Sequence, residues 1–426
     1  MTPPLGFRQA FGQLLTALDE QSRLVRRDDL AWDAFLCMVA EQVPFYARHF
    51  GAHRPTAVGD FPVVSRAMLA ADPKDFTNVQ FATDTLVTAT TSGTSGRALA
   101  IARDPTSAYA MHYAIFGRIW AALDLPPVAG MAGRCAVAVV NDNPTRPTLR
   151  MVNPALGLAS VDQFILGHGA AADRAVMASL ATLRPILLCG RPRALLHLLE
   201  VGGTTCLRLG VARLFCSGDN LSPAVRETLA DGFGARVANG YASQEAGLIA
   251  MDRAGQAGVL VADRGIRLEL LDGEGALFDE GEGELLVTSR ANWAMPIVRY
   301  RTGDHGRLRA SAAAGPGGGE LTALHGRISV HFTVDGQRYN PSILNGALEL
   351  WSLHYQVVQT ASGGFRVTMV PRRDTEREAA VHQVMAAFGE LLNTTAVVVD
   401  LVDRIGAIGE KSQRYVVETR DMERVT

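Results

Sequence analysis

The chain has 426 residues, 48 % hydrophobic and 20 % charged, with a formal net charge of −2. At roughly 100–200 residues per domain, this composition implies two or three structural units with large buried cores and excludes a disordered chain. A charge so near neutral excludes a general attraction to nucleic acid or acidic lipid.

Five cysteines occur, Cys37, Cys135, Cys189, Cys206 and Cys216. Their odd count and the lack of a Cys-x-x-Cys pair argue against zinc and against a disulfide framework. The segment Met1-Thr2-Pro3-Pro4 has no basic region leading into an apolar run. No stretch reaches about 18 apolar residues, so neither a secretion signal nor a membrane span is expected, and a reducing cytoplasm fits.

Helices are expected first. Phe7, Phe11, Leu14, Leu15 and Leu18 recur at helical spacing, and Leu30, Phe35, Met38 and Val39 form a second apolar set. Phe61-Pro62-Val63-Val64-Ser65-Arg66 reads as a loop entering a short helix capped by Ser65. Buried strands are expected at Cys135–Val140, Pro185–Cys189 and Val211–Cys216, with helices at Arg193–Glu200 and Pro223–Phe233. Ser222, Pro223 and Gly234 have the right chemistry to cap, start and end the latter helix. Alternating strands and helices predict a largely parallel α/β sheet.

Over Arg264–Arg309 the pattern changes to strands separated by acidic glycine turns, which predicts an antiparallel β unit. Ala310–Gly319 reads as a flexible excursion. A small α+β module follows a boundary near Arg327, giving an expected division into 1–326 and 327–426. Val330–Val334 and Thr395–Ile405 read as its strands. Thr375-Glu376-Arg377-Glu378 is a capping box that opens a helix with Val381, Val384, Met385, Phe388, Leu391 and Leu392 on one apolar face.

Five short segments carry candidate chemistry. Thr90-Thr91-Ser92-Gly93-Thr94-Ser95-Gly96 offers hydroxyls and two glycines, suited to turning N–H donors toward phosphate. It lacks the Gly-Lys-Ser/Thr ending of a P-loop, and a polar turn between strands explains it about as well. Ser217-Gly218-Asp219 closes an apolar strand, where ligands of open parallel sheets bind. In Tyr241-Ala242-Ser243-Gln244-Glu245 the aromatic ring can stack on a purine and the carboxylate can hold Mg²⁺. Asp304, closing Tyr300-Arg301-Thr302-Gly303-Asp304, can accept from the two hydroxyls of a ribose, oriented by Arg299 or Arg301. Lys411 can neutralise charge developing at a phosphate. Taken singly, the last four also read as ordinary turns, packed aromatics and solvated charges.

Their order, with Gly326-Arg327 before the terminal lysine, resembles the successive core motifs of the adenylate-forming superfamily: acyl- and aryl-CoA synthetases, adenylation domains of peptide synthetases, and luciferases. Phe45–Phe50, Phe61–Arg66 and Met295–Asp304 most resemble phenylacetate–CoA ligases. The resemblance implies an α/β fold with a large N-terminal ATP- and acid-binding domain, containing parallel sheets and a β subunit, and a mobile C-terminal lid.

It also implies roles. Thr91, Ser92, Gly93, Thr94, Ser95 and Gly96 hold the β- and γ-phosphates. Gly218, Asp219 and Tyr241, with Ala242 and Ser243, line the nucleotide site. Glu245 binds the metal, Asp304 the ribose, and Arg327 the nucleotide near the hinge. Lys411 enters for adenylation. The implied cofactors are ATP and Mg²⁺, with CoA or a phosphopantetheine thiol as acceptor. The implied partners are a small carboxylic acid, aryl by family expectation, an acyl carrier protein as one option, and a second copy in a homodimer. No nucleic acid or membrane partner is expected.

The chain departs from the family at three places: Arg97-Ala98-Leu99 after the hydroxyl loop, Gln244 in place of a hydroxyl, and Ser329 in place of the hinge Asp. Two alternatives therefore stay open. One is transfer to a carrier protein or an amine; the other is a non-catalytic nucleotide-binding relative.

Overall fold

A computed structural model describes residues 5–28, 30–91, 99–143, 147–219, 221–253, 258–311, 319–327, 330–372, 376–403, 405 and 415–418. The side chains of 5–15, 17, 91, 327 and 342 are also outside the description. The chain divides into two compact units, Met1–Asp219 with Gly232–Leu324, and Asn220–Asp231 with His325–Thr426.

The first unit opens with α1 (Leu5–Asp28), α2 (Trp32–Gln42), α3 (Pro44–Phe50) and α4 (Arg66–Ala71). Ser65 caps α4 by accepting from Met68 N–H at 3.3 Å, as expected. A two-stranded antiparallel pair, β1 (Val87–Thr91) and β2 (Leu99–Arg103), follows. Helix α5 (Pro105–Tyr109) passes through a π turn at Ala110–Ala114 into α6 (Ile115–Ala122). Next come β3 (Cys135–Asn141), β4 (Leu149–Asn153), β5 (Ala159–Ile165), α7 (Ala170–Leu183), β6 (Leu187–Gly190), α8 (Pro192–Gly202), α9 (Thr205–Arg208) and β7 (Arg213–Ser217). After α10 (Pro223–Phe233), whose first turns belong to the second unit, lie β8 (Arg236–Ser243), β9 (Gly247–Asp252), β10 (Leu260–Ala262), β11 (Ile266–Leu271), β12 (Leu277–Phe278), β13 (Gly281–Ser289), β14 (Ile297–Ala310) and β15 (Gly319–Arg327). Ser222 Oγ accepts from Val225 N–H at 3.3 Å, and Gly234 follows the helix at φ 61°, as the caps require.

Thirteen of these strands form one sheet, ordered β12-β11-β13-β14-β15-β10-β9-β8-β7-β6-β3-β5-β4. The run β8-β7-β6-β3-β5 is parallel, while β8–β9 and β13–β14 pair antiparallel. The expected parallel sheet and acidic-turn β unit are thus parts of one continuous sheet. From β3 the chain builds outward to β5 on one side and later to β6 on the other. That reversal is a topological switch point, where the carboxyl ends of β3 and β6 open a crevice.

Two cores hold this unit. Phe35, Val39, Val43 and Tyr46 of α2 and α3 pack with Phe61 and Val64 on Ile249, Leu268, Val287 and Val298. Ile119 and Trp120 of α6 pack on Val137, Leu187, Phe215, Ala238 and Met251. Each fully buried side chain of this size contributes about 1.5–3 kcal/mol.

The second unit has a four-stranded sheet ordered β20-β19-β18-β21, from β18 (Ser352–Gln359), β19 (Phe365–Pro371), β20 (Val397–Leu401) and β21 (Tyr415–Val417). Helices α11 (Asn345–Trp351) and α12 (Arg377–Leu392) share its core with Phe332, Val357, Phe365, Val384, Phe388 and Leu392. Met385 is 42 % exposed, so it leaves the apolar face expected of it. One residue beyond buried Val384, it is turned about 100° around the helix. The strand expected at Val330–Val334 is the first arm of a hairpin, β16 (Phe332–Val334) with β17 (Gln337–Tyr339). Asp335 and Gly336 both have positive φ, 50° and 79°, as a type I′ turn demands. The capping box begins at Thr375, outside the described residues; Glu376 is the residue before the helix.

Candidate active site

Phe215 on β7 and Gly240 on β8 set the local geometry at the strand ends. A Cβ on Gly240 would lie 2.3 Å from Phe215 Cζ, so only glycine lets β8 cross the ring. The next residue, Tyr241, donates its hydroxyl hydrogen to Asp304 Oδ2 at 2.7 Å. Asp304 follows Gly303, at φ 77°, and its N–H donates to Thr302 Oγ1 at 3.0 Å. Thr302 in turn donates to Leu285 O at 2.9 Å. Strands β8 and β14 are four spacings apart in the sheet, about 19 Å if it were flat. A direct bond between their side chains therefore requires the sheet to curl over on itself. Ala242 is half-buried in the α6 core, and Ser243 Oγ accepts from Ala246 N–H at 3.0 Å, shaping the turn into β9.

That turn carries Glu245, only 4 % exposed. Its Oε1 accepts from Arg66 Nη1 at 3.0 Å and from Tyr300 Oη at 3.2 Å. Arg103, 2 % exposed, donates through Nη2 to Gln244 O at 2.6 Å and to Gln244 Oε1 at 3.0 Å. Gln244, which departs from the family's hydroxyl, thus holds an arginine. Burial lowers the Arg103 pKa, opposed by the negative charge of Glu245. Burial, and then Glu245, pushes the Tyr300 hydroxyl well above the usual tyrosine range.

The segment bearing Arg66 is fastened to β14. Val64 N–H donates to Arg299 O at 3.0 Å, and Arg301 N–H donates to Val64 O at 2.9 Å. Arg299 sits at φ 51°, a strained conformation for a long side chain. Its guanidinium is anchored on Glu269 at 2.8 Å and on the carbonyls of Gly59 at 2.8 Å and Phe61 at 3.0 Å. Arg301 pairs with Glu284 at 3.1 Å. The expectation that Arg299 or Arg301 orients Asp304 is therefore corrected. Arg301 serves a carboxylate on the neighbouring β13 and Arg299 one on β11, a strand further along, and Tyr241 donates to Asp304 instead.

A third group lies at the switch point. Asp142 follows β3, Arg191 and Arg193 follow β6, and Asp219 follows β7. Arg193 Nε is in close ion contact with Asp142 and 3.7 Å from Asp219 Oδ2. Arg191 Nη1 is 3.9 Å from Asp142 Oδ1. Gly218 has φ 93°, and a Cβ there would meet Arg191 Nε at 3.4 Å. Among the described residues, the buried Asn239 Oδ1 has no hydrogen-bond partner, and Asp142 Oδ1 and Asp219 Oδ2 meet the two arginines only at ion-pair distance.

Of the expected site residues, the structure brings together Tyr241 and Asp304, and places Gly218 and Asp219 at the end of the adjacent strand. Ser92, Gly93, Thr94, Ser95, Gly96 and Lys411 lie outside the described residues. Thr91 is described only as the end of β1, paired with Leu99, and Arg327 only as the end of β15. Arg66, Arg103, Asp142, Arg191, Arg193 and Tyr300 were not anticipated as site residues. For Arg191 and Arg193 a signal existed: two cations directly follow a buried strand, where charge is unexpected without a ligand or partner. Among the described residues no group of three or more His, Cys, Asp or Glu gathers as a metal site. A lone carboxylate such as Glu245 fits a Mg²⁺ whose remaining ligands are nucleotide phosphates and water.

No protein-family model and no curated protein matches the sequence. Solved structures do match. 2-Hydroxyisobutyryl-CoA ligase in the postadenylation state with R3-HIB-AMP has a TM-score of 0.66 at 19 % identity, over 94 % of this chain and 89 % of that one. Anthranilate CoA ligase AuaEII with anthranoyl-AMP scores 0.54 at 14 % identity, over 78 % and 66 %. Benzoate CoA ligase from Burkholderia xenovorans LB400 scores 0.53 at 15 % identity, over 81 % and 76 %. The fold is that of the adenylate-forming ligases. No helix among the described residues is long and apolar enough to cross a membrane.

Proposed function

We propose that this chain is an AMP-forming acid–thiol ligase of the phenylacetate–CoA ligase type. It joins a carboxylic acid to AMP with release of pyrophosphate, then passes the acyl group to a thiol such as that of CoA. The observation that carries this reading is the Tyr241–Asp304 bond at the strand ends, 2.7 Å long, in a fold whose similar structures include acyl-AMP complexes. The Tyr241 ring offers a face for adenine, and the Asp304 carboxylate accepts from a ribose. The unpaired Asn239 Oδ1 accepts from an exocyclic amine.

Attack of one anion on another faces a largely electrostatic barrier. Thr91 to Gly96 supply donors to the outer phosphates. Lys411 places a positive charge at the transferring phosphate, and Arg327 contacts the nucleotide. Mg²⁺, held by Glu245, would neutralise phosphate charge. Arg66 fixes the Glu245 side chain through their ion pair, and Arg103 holds the neighbouring Gln244. Transfer to a carrier protein or amine is the second reading, favoured by Ser329 where the family has its hinge Asp.

ATP–pyrophosphate exchange tests the proposal. Acid-dependent exchange is expected, and Lys411→Ala should slow it about 10²–10³-fold, the scale for losing one electrostatic stabiliser. Exchange that is independent of any acid rejects adenylation, and an unchanged rate in the variant removes Lys411 from the mechanism.

A further inference from the structure

We infer that Arg103 is a positioning residue for the metal: through Gln244 it sets the turn that presents Glu245. This rests on the adenylation reading above, in which Glu245 holds Mg²⁺, and adds to it a residue that touches neither metal nor nucleotide. Burial comes first. Arg103 is 2 % exposed, and its Nε has no hydrogen-bond partner among the described residues. Its guanidinium donates instead to a neutral residue, through Nη2 to Gln244 O at 2.6 Å and to Gln244 Oε1 at 3.0 Å. The negative charge that reaches it is that of Glu245, one residue further along the turn. A guanidinium buried without a bonded carboxylate is a costly way to fill a core, where an apolar side chain of similar volume serves as well or better. Packing alone therefore does not account for an arginine here.

Geometry comes second. Gln244 is exposed, so without a partner its side chain would exchange freely among rotamers. The two bonds from Arg103 pin both its backbone and its side chain. Glu245 is thus held at two ends: Arg66 and Tyr300 hold its carboxylate, and Arg103 holds the backbone that carries it. The strand end bearing Arg103 is itself stiff. Asn292 Nδ2 donates to Ala102 O at 2.8 Å, and Asp104, 1 % exposed, accepts from Thr106 N–H at 3.1 Å and pairs with Arg27 at 2.8 Å. A ligand placed by rigid supports keeps its geometry when the ion arrives, and removing such a support typically costs about 10–100-fold in metal affinity or activity.

The test is the affinity of the full chain for ATP by calorimetry, once with Mg²⁺ and once with EDTA. The ratio of the two affinities measures how strongly metal and nucleotide support each other at the site. The unaltered chain should show a ratio well above one, and Glu245→Ala should bring it close to one. Arg103→Met should lower the ratio about tenfold, or to one if it starts smaller, and leave the affinity in EDTA within about twofold. Arg103→Lys, which keeps a charged donor, should recover most of the loss. An Arg103→Met chain with a lower melting temperature and an unchanged ratio would show a merely structural arginine and overturn the inference, leaving the metal at Glu245 standing. A ratio of one in the unaltered chain, or no effect of Glu245→Ala, overturns the inference together with the metal's placement. Acid-dependent ATP–pyrophosphate exchange in the same preparations reports separately on adenylation. If Arg103→Met does not fold, Gln244→Ala decides: it removes the Oε1 acceptor and keeps the carbonyl, so a smaller fall of the ratio is expected, and no fall overturns the inference.

Discussion

Arg66 reaches across 179 positions of sequence to donate to Glu245 Oε1 at 3.0 Å. The pair joins the N-terminal segment to the turn after β8, and the Glu245 side chain is only 5 % exposed. Arg66→Met leaves that carboxylate with Tyr300 as its remaining direct donor among the bonds described. A loss of about 2–4 kcal/mol is expected, somewhat under the range for fully buried pairs because Arg66 keeps some solvent contact. Urea titration checks it. Glu245→Gln should cost less, since its amide oxygen still accepts from both partners; the reverse order would mean that the negative charge, and not the hydrogen bonds, is what the site depends on.

Tyr241→Phe deletes one oxygen and with it the 2.7 Å bond it donates to the Asp304 carboxylate. Hydrogen bonds to charged groups are worth about 1.5–3 kcal/mol, so ATP binding by calorimetry should weaken about tenfold. Unchanged affinity would show that Asp304 needs no orienting partner or does not meet the nucleotide.

Gly240→Ala drives a methyl to 2.3 Å from the Phe215 ring. Overpacking of this kind costs about 1–3 kcal/mol. Adding Phe215→Leu should return part of the lost melting temperature. A double variant less stable than the single one would place the strain elsewhere.

His197 on α8 lies 3.6 Å from Glu200 and 2.9 Å from Asp173, and these two carboxylates, Glu200 first, raise its pKa above 6.5. The folded chain therefore holds this proton more tightly than the unfolded chain. The resulting stability is full below about pH 6.5 and is lost as pH rises through the folded value. The stability advantage over His197→Gln should shrink between pH 6 and pH 9. A gap that widens with pH would reverse the assignment.

The parallel run, the acidic-turn strands, the α10 caps and the Tyr241–Asp304 neighbourhood were legible because each depends on local pattern or a motif. Arg66, Arg103 and Tyr300 were not, because their partners sit far away in the chain and only the curled sheet brings them to Glu245. The β4–β5 hairpin was missed. The continuity of the sheet was also hidden, since a strand pattern does not reveal which neighbour it pairs with. Met385 shows the limit of an apolar count, as one hydrophobic residue too many was assigned to a face that holds fewer.

The anchoring of Arg299 on Gly59 O spans 240 positions. At about 5–20 residues per second on the ribosome, the early loop waits roughly 10–50 s for the strand that will hold it. During that interval Phe61 and Val64 lack the β14 surface they finally cover, so the newborn N-terminal helices are sticky until synthesis is nearly three-quarters complete. Chaperone dependence should track this delay, and a permuted gene that translates β14 ahead of that loop should fold with less assistance.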